Sequence, residues 1–257
     1  MPMLDRDGVA IHYEVSGDGP ALLLTHGYSA TGAMWAGQVE PFSKCYRLVT
    51  WDMRGHGRSD YPTDPAAYSE AATVADMAAL LDAVGAERAV IGGLSLGGYM
   101  SLAFHLIHPG RVRGLLIIDT GPGYRNDEAR EGWNRNALKT AERYETEGLA
   151  RLAAGSPEMR TSHHRDATGL ALAARGMLVQ RDARVITSLP AIAVPSLVVV
   201  GANDTPFLAA SDYMAAKIPG AKKVVIADAG HAANIDQPEA FNAAVLGFLH
   251  ETGLDCA

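Results

Sequence analysis

Residues 93–97 read Gly93-Leu94-Ser95-Leu96-Gly97, with Gly92 before them and Gly98 after. An apolar run, Ala89-Val90-Ile91, precedes them, and a helical pattern begins at Leu96. Gly-x-Ser-x-Gly between a strand and a helix is the setting that makes a serine a nucleophile. The turn is tight, and its small flanking residues let the chain fold back without a side-chain clash. Ser95 is then held at the end of a strand, beside the unpaired N–H groups and partial positive charge of a helix N-terminus. The chemistry this suits is attack on a carbonyl carbon. The plain alternative is a glycine-rich turn with a chance serine.

A serine hydroxyl is a poor nucleophile at neutral pH, so it needs a base, and the base needs an orienting acid. In this motif class the chain order is Ser, Asp or Glu, then His. Asp204 follows the apolar run Pro195–Val200, and His231 follows Lys223–Ile226. Both are expected on loops at the carboxyl ends of strands, the same sheet edge as Ser95. Taken singly, His231 reads as a solvated loop histidine and Asp204 as a turn residue or helix cap. In the required order at the required strand ends, the three read as Ser95 nucleophile, His231 base and Asp204 orienting acid. Asp119 also ends a strand and competes with Asp204, but the Asp204 strand is the one that precedes the histidine strand. Acyl transfer also needs donors for the developing oxyanion. The turn supplies the Leu96 N–H. The loop His26-Gly27-Tyr28-Ser29 supplies the second, assigned to Tyr28, with His26 holding the loop through its ring nitrogens.

The elements that must position these residues are legible from periodicity. Residues 3–15 suggest a hairpin turning at Asp7-Gly8. Short apolar runs at 21–25, 46–51, 89–92, 112–118, 195–200 and 223–226 read as strands, several buried on both faces. Met34 and Trp35 fall in a loop and short helix over 31–42. Val74, Met77, Leu80, Leu81 and Val84 mark one face of an amphipathic helix. Further helices are expected at 96–108, 208–218 and 238–249. This alternation predicts an α/β fold: a mostly parallel sheet covered by helices on both faces. The alternation stops between residues 122 and 193, which read as several helices. The expected organisation is a core domain of residues 1–121 and 194–257 with a helical lid, 122–193, inserted between two strands over the site. Trp133, Tyr144, Met159, Met177 and Leu178 of the lid, with Tyr28, are candidates to line a substrate pocket. The alternative for the lid residues is packing against the core.

Composition excludes other classes. The net charge of −7 disfavours a nucleic-acid partner. No stretch approaches the ~18 apolar residues of a membrane span, and the first residues lack the apolar run of a signal peptide. The two cysteines, Cys45 and Cys256, read as reduced bystanders in a cytoplasmic protein. The adjacent His163-His164 pair reads as solvated, since neighbours on a helix face apart and no third metal ligand is evident. No metal or organic cofactor is expected. A monomer or homodimer acting on a small ester or lactone is.

Together, His26-Gly27, Asp52-Met53-Arg54-Gly55-His56-Gly57-Arg58-Ser59, Gly93–Gly98, Asp204 and Ala229-Gly230-His231 resemble the α/β-hydrolase superfamily. The resemblance spans about residues 8–120 and 195–250; the lid matches in position and length only. Within the superfamily the chain is most similar to the 3-oxoadipate enol-lactonase and carboxylesterase branch. The resemblance implies an α/β-hydrolase fold, a serine esterase or lactonase, and a structural loop at Asp52–Ser59 stabilised by Asp52 and Arg54. Haloalkane dehalogenases and epoxide hydrolases carry Asp where this chain has Ser95. C–C hydrolases of the meta-cleavage type usually carry a Gly-Pro-Gly-like oxyanion loop, from which Tyr28-Ser29-Ala30-Thr31 departs. The same triad could still serve amide, C–C or perhydrolysis chemistry, or a slow-turnover ligand receptor. The lack of a basic cluster disfavours a strongly anionic substrate.

Overall fold

The computed structural model describes residues 2–254. Eight strands form one sheet in the order β1-β2-β4-β3-β5-β6-β7-β8. They are β1 (Met3–Arg6), β2 (Val9–Ser16), β3 (Ala21–Thr25), β4 (Arg47–Trp51), β5 (Ala89–Leu94), β6 (Val112–Ile118), β7 (Ser196–Gly201) and β8 (Lys222–Ile226). β1 pairs with β2, and β2 with β4, antiparallel; the other five pairings are parallel. This is the α/β-hydrolase architecture. The predicted hairpin forms with Asp7 and Gly8 both at positive φ.

The central strands are apolar throughout because both sheet faces are covered. Alternate side chains enter different cores, as the two-residue strand period requires. Leu23, Ile91, Leu115, Ile117 and Val198 pack on one face with helices Glu70–Ala83 and Leu96–Ile107. Leu22, Leu24, Val90, Leu116, Ile118, Leu197 and Val199 pack on the other with helices Ala36–Ser43 and Pro238–Glu251. Met34 and Trp35 lie on a single 3₁₀ turn, Gly32–Trp35, and both are buried in this second core.

Between β6 and β7 every element is helical, beginning with Asp127–Glu147. That helix is opened by Asn126, whose side chain accepts the Ala129 N–H. It carries Asp127 and Glu128 in its first turn and stops at Gly148, where φ is 63°. A separate small core of Ala141, Tyr144, Leu152, Leu170, Ala171 and Ala174 holds the insertion together.

One expectation is corrected at the edge of the fold. Cys45 is disulfide-bonded and is not a reduced thiol. A lone internal cysteine carries no spacing signature of a bridge, and the bond removes the compositional argument for a reducing compartment. Cys256 lies outside the described residues. Among the described residues no helix is long and apolar enough to cross a membrane.

The tightest packing lies where β5 turns into the helix Leu96–Ile107. A Cβ at Gly97 would sit 2.2 Å from the Thr25 carbonyl oxygen, and one at Gly93 would sit 2.4 Å from the Gly97 carbonyl carbon. Both neighbours are backbone and cannot move aside. Gly97→Ala is therefore expected to cost at least about 1–3 kcal/mol in a urea melt. Gly110→Ala, with nothing within 4 Å of the added carbon, should leave the midpoint near wild type.

Candidate active site

Ser95 sits at the end of β5 with φ 55° and ψ −115°. This region is unfavourable for a residue with a Cβ and persists only where its surroundings impose it. The surroundings do so. The Ser95 N–H donates to the Ile118 carbonyl at 2.9 Å, and the Ser95 carbonyl accepts from Thr120 Oγ1 at 2.7 Å and from the Tyr99 N–H at 3.0 Å. The residue stands at the N-cap of a helix, yet its side chain makes no capping hydrogen bond. The hydroxyl is left for other work.

Asp204 occupies the N-cap position of the helix Thr205–Lys217, where the plain reading would make it a cap. Its side chain makes no cap hydrogen bond either. Instead Oδ2 accepts from His231 Nδ1 at 2.8 Å, and Asp204 is 5 % exposed. Phe207, one turn into that helix, stacks on the His231 ring with centroids 5.2 Å apart. Gly230 donates to Asp236 Oδ2 at 2.8 Å, which fixes the loop that carries the ring. Burial pulls the His231 pKa down, but the hydrogen bond and charge of Asp204 outweigh it and leave the ring above its ordinary 6.5.

Asp119, the rival acid, faces the same loops but holds backbone. Its Oδ1 accepts from the Gly201 N–H at 2.7 Å and its Oδ2 from the Ala233 N–H at 3.3 Å, at a backbone φ of 44°. Burial raises its pKa to about 8, against those two N–H donors. It ties the ends of β6 and β7 to the His231 loop and makes no hydrogen bond to the imidazole.

The loop expected to complete an oxyanion site is held by neutral histidines. His26 Nδ1 donates to the Gly27 carbonyl at 2.7 Å, and its Nε2 accepts the Met53 N–H at 2.9 Å. His56 donates from Nδ1 to the Arg54 carbonyl at 3.0 Å and accepts the Ser29 N–H on Nε2 at 3.2 Å. His164 accepts the Gly57 N–H on Nδ1 at 3.1 Å and donates from Nε2 to the Ser29 carbonyl at 3.1 Å. The rings pack in sequence, with centroids 5.0 Å and 5.6 Å apart. In each ring a backbone N–H points at the bare nitrogen, so a second proton would face a donor. Burial holds all three below the usual histidine value, His26 at about 4. His164 is thus no solvated member of a surface pair, as its sequence neighbourhood suggested. It reaches from the insertion into the core, while His163 is exposed. His26 is structural, as expected.

Asp52 and Arg54 divide the work of the adjoining loop. Asp52 accepts the Gly32 N–H at 2.7 Å and the Arg58 N–H at 2.9 Å. Burial raises its pKa, but His12 at 3.3 Å and these N–H groups prevail and hold it at about 2. Arg54 reaches outward, pairing through Nε and Nη2 with both oxygens of buried Asp76 at 2.6 Å and 2.8 Å. That bidentate pair fastens the loop to the helix Glu70–Ala83.

A cavity of about 90 Å³ opens at Ser95 and Leu96. Trp133, Met177 and Leu178 line it, as expected for the insertion. Three other candidates are corrected, Tyr144 among them: it is buried in the small core of the insertion and donates to Ser29 Oγ at 2.8 Å. Met159 packs into the small core of the insertion, because its short helix, Pro157–Arg160, lies against Tyr144 and Leu152. The Tyr28 ring also lies off the cavity lining. Its hydroxyl donates to the Leu170 carbonyl at 2.7 Å, and the ring meets Tyr144 and His56 edge-on. The backbone N–H groups of Tyr28 and Leu96 donate to no protein acceptor among the described residues. Sequence reasoning missed Tyr99, Tyr124, Gln180 and Phe207, which also line it. The signal was topological: β6 lies beside β5, so the loop after β6, residues 119–124, borders Ser95.

With this geometry in place, comparison decides the family. A model of the alpha/beta hydrolase family matches residues 22–244. The chain belongs to that family. This hydrolase is 28% identical to a 3-oxoadipate enol-lactonase of Acinetobacter baylyi over 95% of both chains. Among solved structures it is similar to the enol-lactonase of Burkholderia xenovorans, with 28% identity, TM-score 0.78, and coverage of 97% of this chain and 100% of that one. It is also similar to a thermophilic esterase of Thermogutta terrifontis, with 30% identity, TM-score 0.82 and 97% of each chain covered.

The histidine stack predicts a pH dependence. A histidine whose folded pKa lies below its unfolded 6.5 contributes stability above pH 6.5 that is lost as pH falls toward the folded value. For His26 that window runs from 6.5 down to about 4. Each such ring contributes a slope of up to about 1.4 kcal/mol per pH unit. His164→Asn should destabilise the protein at pH 7.5, and its difference from wild type should shrink between pH 6.5 and 5 in parallel denaturant melts. A difference that stays constant would show that His164 is not held neutral.

Proposed function

We propose that this hydrolase cleaves a carboxylic ester or lactone through an acyl-enzyme on Ser95, with His231 as general base and Asp204 as its orienting acid. The observation that carries the reading is the Asp204 carboxylate, which leaves its own helix uncapped and binds His231 Nδ1 at 2.8 Å. With Nδ1–H donating to Asp204, Nε2 holds the free lone pair, the tautomer a base requires. Enol-lactonase and esterase relatives, aligned over nearly the whole chain, support an acyl C–O bond as the target.

The steps follow from the groups present. His231 Nε2 takes the Ser95 proton as Oγ bonds to the carbonyl carbon. The negative oxygen is received by the N–H groups of Leu96 and Tyr28, whose free donors need no rearrangement to accept it. The imidazolium then protonates the leaving oxygen as the C–O bond breaks. Nε2 next takes a proton from water, whose oxygen attacks the acyl-enzyme, and returns it to Ser95 Oγ as the acid departs. Every proton in this sequence is carried by His231, and Asp204 stabilises the imidazolium without accepting the proton.

The test is hydrolysis of p-nitrophenyl esters with acyl chains of two to twelve carbons. Ser95→Ala should lower kcat by about 10⁴-fold or more with an unchanged melting profile. Turnover retained in that variant would overturn the assignment. The pH profile supplies a second check. His231 acts as a base only when neutral, and Asp204 raises its pKa, so the acid limb of kcat/KM should lie above pH 6.5. In Asp204→Asn the limb should move to lower pH while kcat falls by about 10⁴-fold.

A further inference from the structure

The cavity lining holds one side-chain carboxamide and no charged group. Gln180 is 8 % exposed, so more than nine-tenths of it is buried. Its Oε1 has no hydrogen-bond partner, and the carboxamide donates to no protein acceptor among the described residues. A buried polar atom without a partner is destabilising, so a position that keeps one calls for an explanation.

The backbone beneath it is pinned. Asn134 on the helix Asp127–Glu147 pairs with Gln180 as a neighbouring strand would: the Gln180 N–H donates to Asn134 Oδ1 and Asn134 Nδ2 donates to the Gln180 carbonyl, both at 2.8 Å. The preceding residue, Trp133, donates from Nε1 to the Leu178 carbonyl at 2.8 Å. Space for the carboxamide is kept on its other side by Gly123, where an added Cβ would sit 2.9 Å from Oε1. Three side-chain-to-backbone bonds and a glycine thus fix the position of an amide that itself bonds to nothing.

The geometry points to Gln180 as a specificity-determining residue whose Nε2, the donor end left without a protein acceptor among the described residues, donates to a neutral carbonyl on the substrate, separate from the carbonyl under attack. A neutral partner follows from the lining: Tyr99, Tyr124, Trp133, Phe207 and the aliphatic groups would leave a carboxylate or an ammonium without a counter-charge. The substrate class is then an ester or lactone whose otherwise apolar body carries one keto or amide oxygen. This inference rests on the ester-hydrolase reading for its chemistry, though not for its binding. A site that holds an unpaired polar group rejects ligands that cannot satisfy it more strongly than an apolar pocket does.

The probes are p-nitrophenyl 4-oxohexanoate and 5-oxohexanoate, each beside the 4-methyl or 5-methyl ester of the same shape. In wild type at least one keto ester should exceed its methyl partner in kcat/KM by tenfold or more. Gln180→Leu should bring that ratio near one, chiefly by raising KM for the keto ester, and should raise the melting temperature of the ligand-free protein. A merely structural glutamine would instead lower it. The same pairs are titrated calorimetrically into Ser95→Ala and Ser95→Ala/Gln180→Leu, where no turnover is needed. Keto preference in binding without turnover in wild type would refute the hydrolase reading and leave the Gln180 assignment standing. Turnover with equal keto-to-methyl ratios in wild type and Gln180→Leu would overturn the assignment alone.

Discussion

The structure turns on a steric constraint: the chain reverses from β5 into a helix with no room for a side chain on either side of Ser95. Gly97 lies against the carbonyls of Thr25 and His26, and Gly93 lies against Gly97 itself. The helix therefore packs on the sheet at backbone distance, and Ser95 is forced to φ 55°. A strained residue of this kind costs about 1–3 kcal/mol and relaxes unless its neighbours prevent it. Here the neighbours are β6 and the first turn of the helix, through Ile118, Thr120 and Tyr99. The same contacts that build the core hold the Ser95 hydroxyl up at the sheet edge, so fold stability and the geometry of Ser95 are one property.

The second support is electrostatic and works by withholding charge. A charged histidine in the interior would need a counter-ion or lose its solvation. His26, His56 and His164 avoid both by using each ring as one donor and one acceptor between backbone groups. The result is a rigid, uncharged seam joining three segments distant in sequence: the loop after β3, the loop after β4 and the insertion. The seam fixes where the Tyr28 backbone lies without adding a charge to the loop. Asp204, on the loop after β7, accepts from His231 Nδ1.

How much of this was legible depended on whether the signal was local. The strands, the order Ser95, Asp204, His231 and the structural use of His26 all rest on periodicity and motif, which a single sequence carries. The insertion was legible only as helical. Its helices are short and its polar bonds reach across it, so nothing in the spacing of Met159 separates packing against Tyr144 from lining a cavity. His164 was misread for a related reason. The pair is expected on a solvated helix, but residues 162–164 are not helical, and tertiary packing takes His164 inward while His163 stays exposed. Gln180 had no local signal, because what marks it is the absence of a partner in three dimensions.

The two sources of the site divide its properties. Loops at the carboxyl ends of the strands carry every group assigned to bond making and proton transfer, and these loops are fixed by the sheet. The insertion carries Trp133, Met177, Leu178 and Gln180, and it is fastened to the core by bonds that leave the Ser95, Asp204 and His231 side chains untouched. Tyr28 and Tyr144 bind it to the loop after β3, through Leu170 and Ser29, while His164 binds it to the loop after β4. Asn134 and Trp133 set the position of residues 178–180 wholly within it. A change in the insertion can therefore alter what the cavity accepts without displacing the imidazole or the strained serine. Changes at the sheet edge do the reverse.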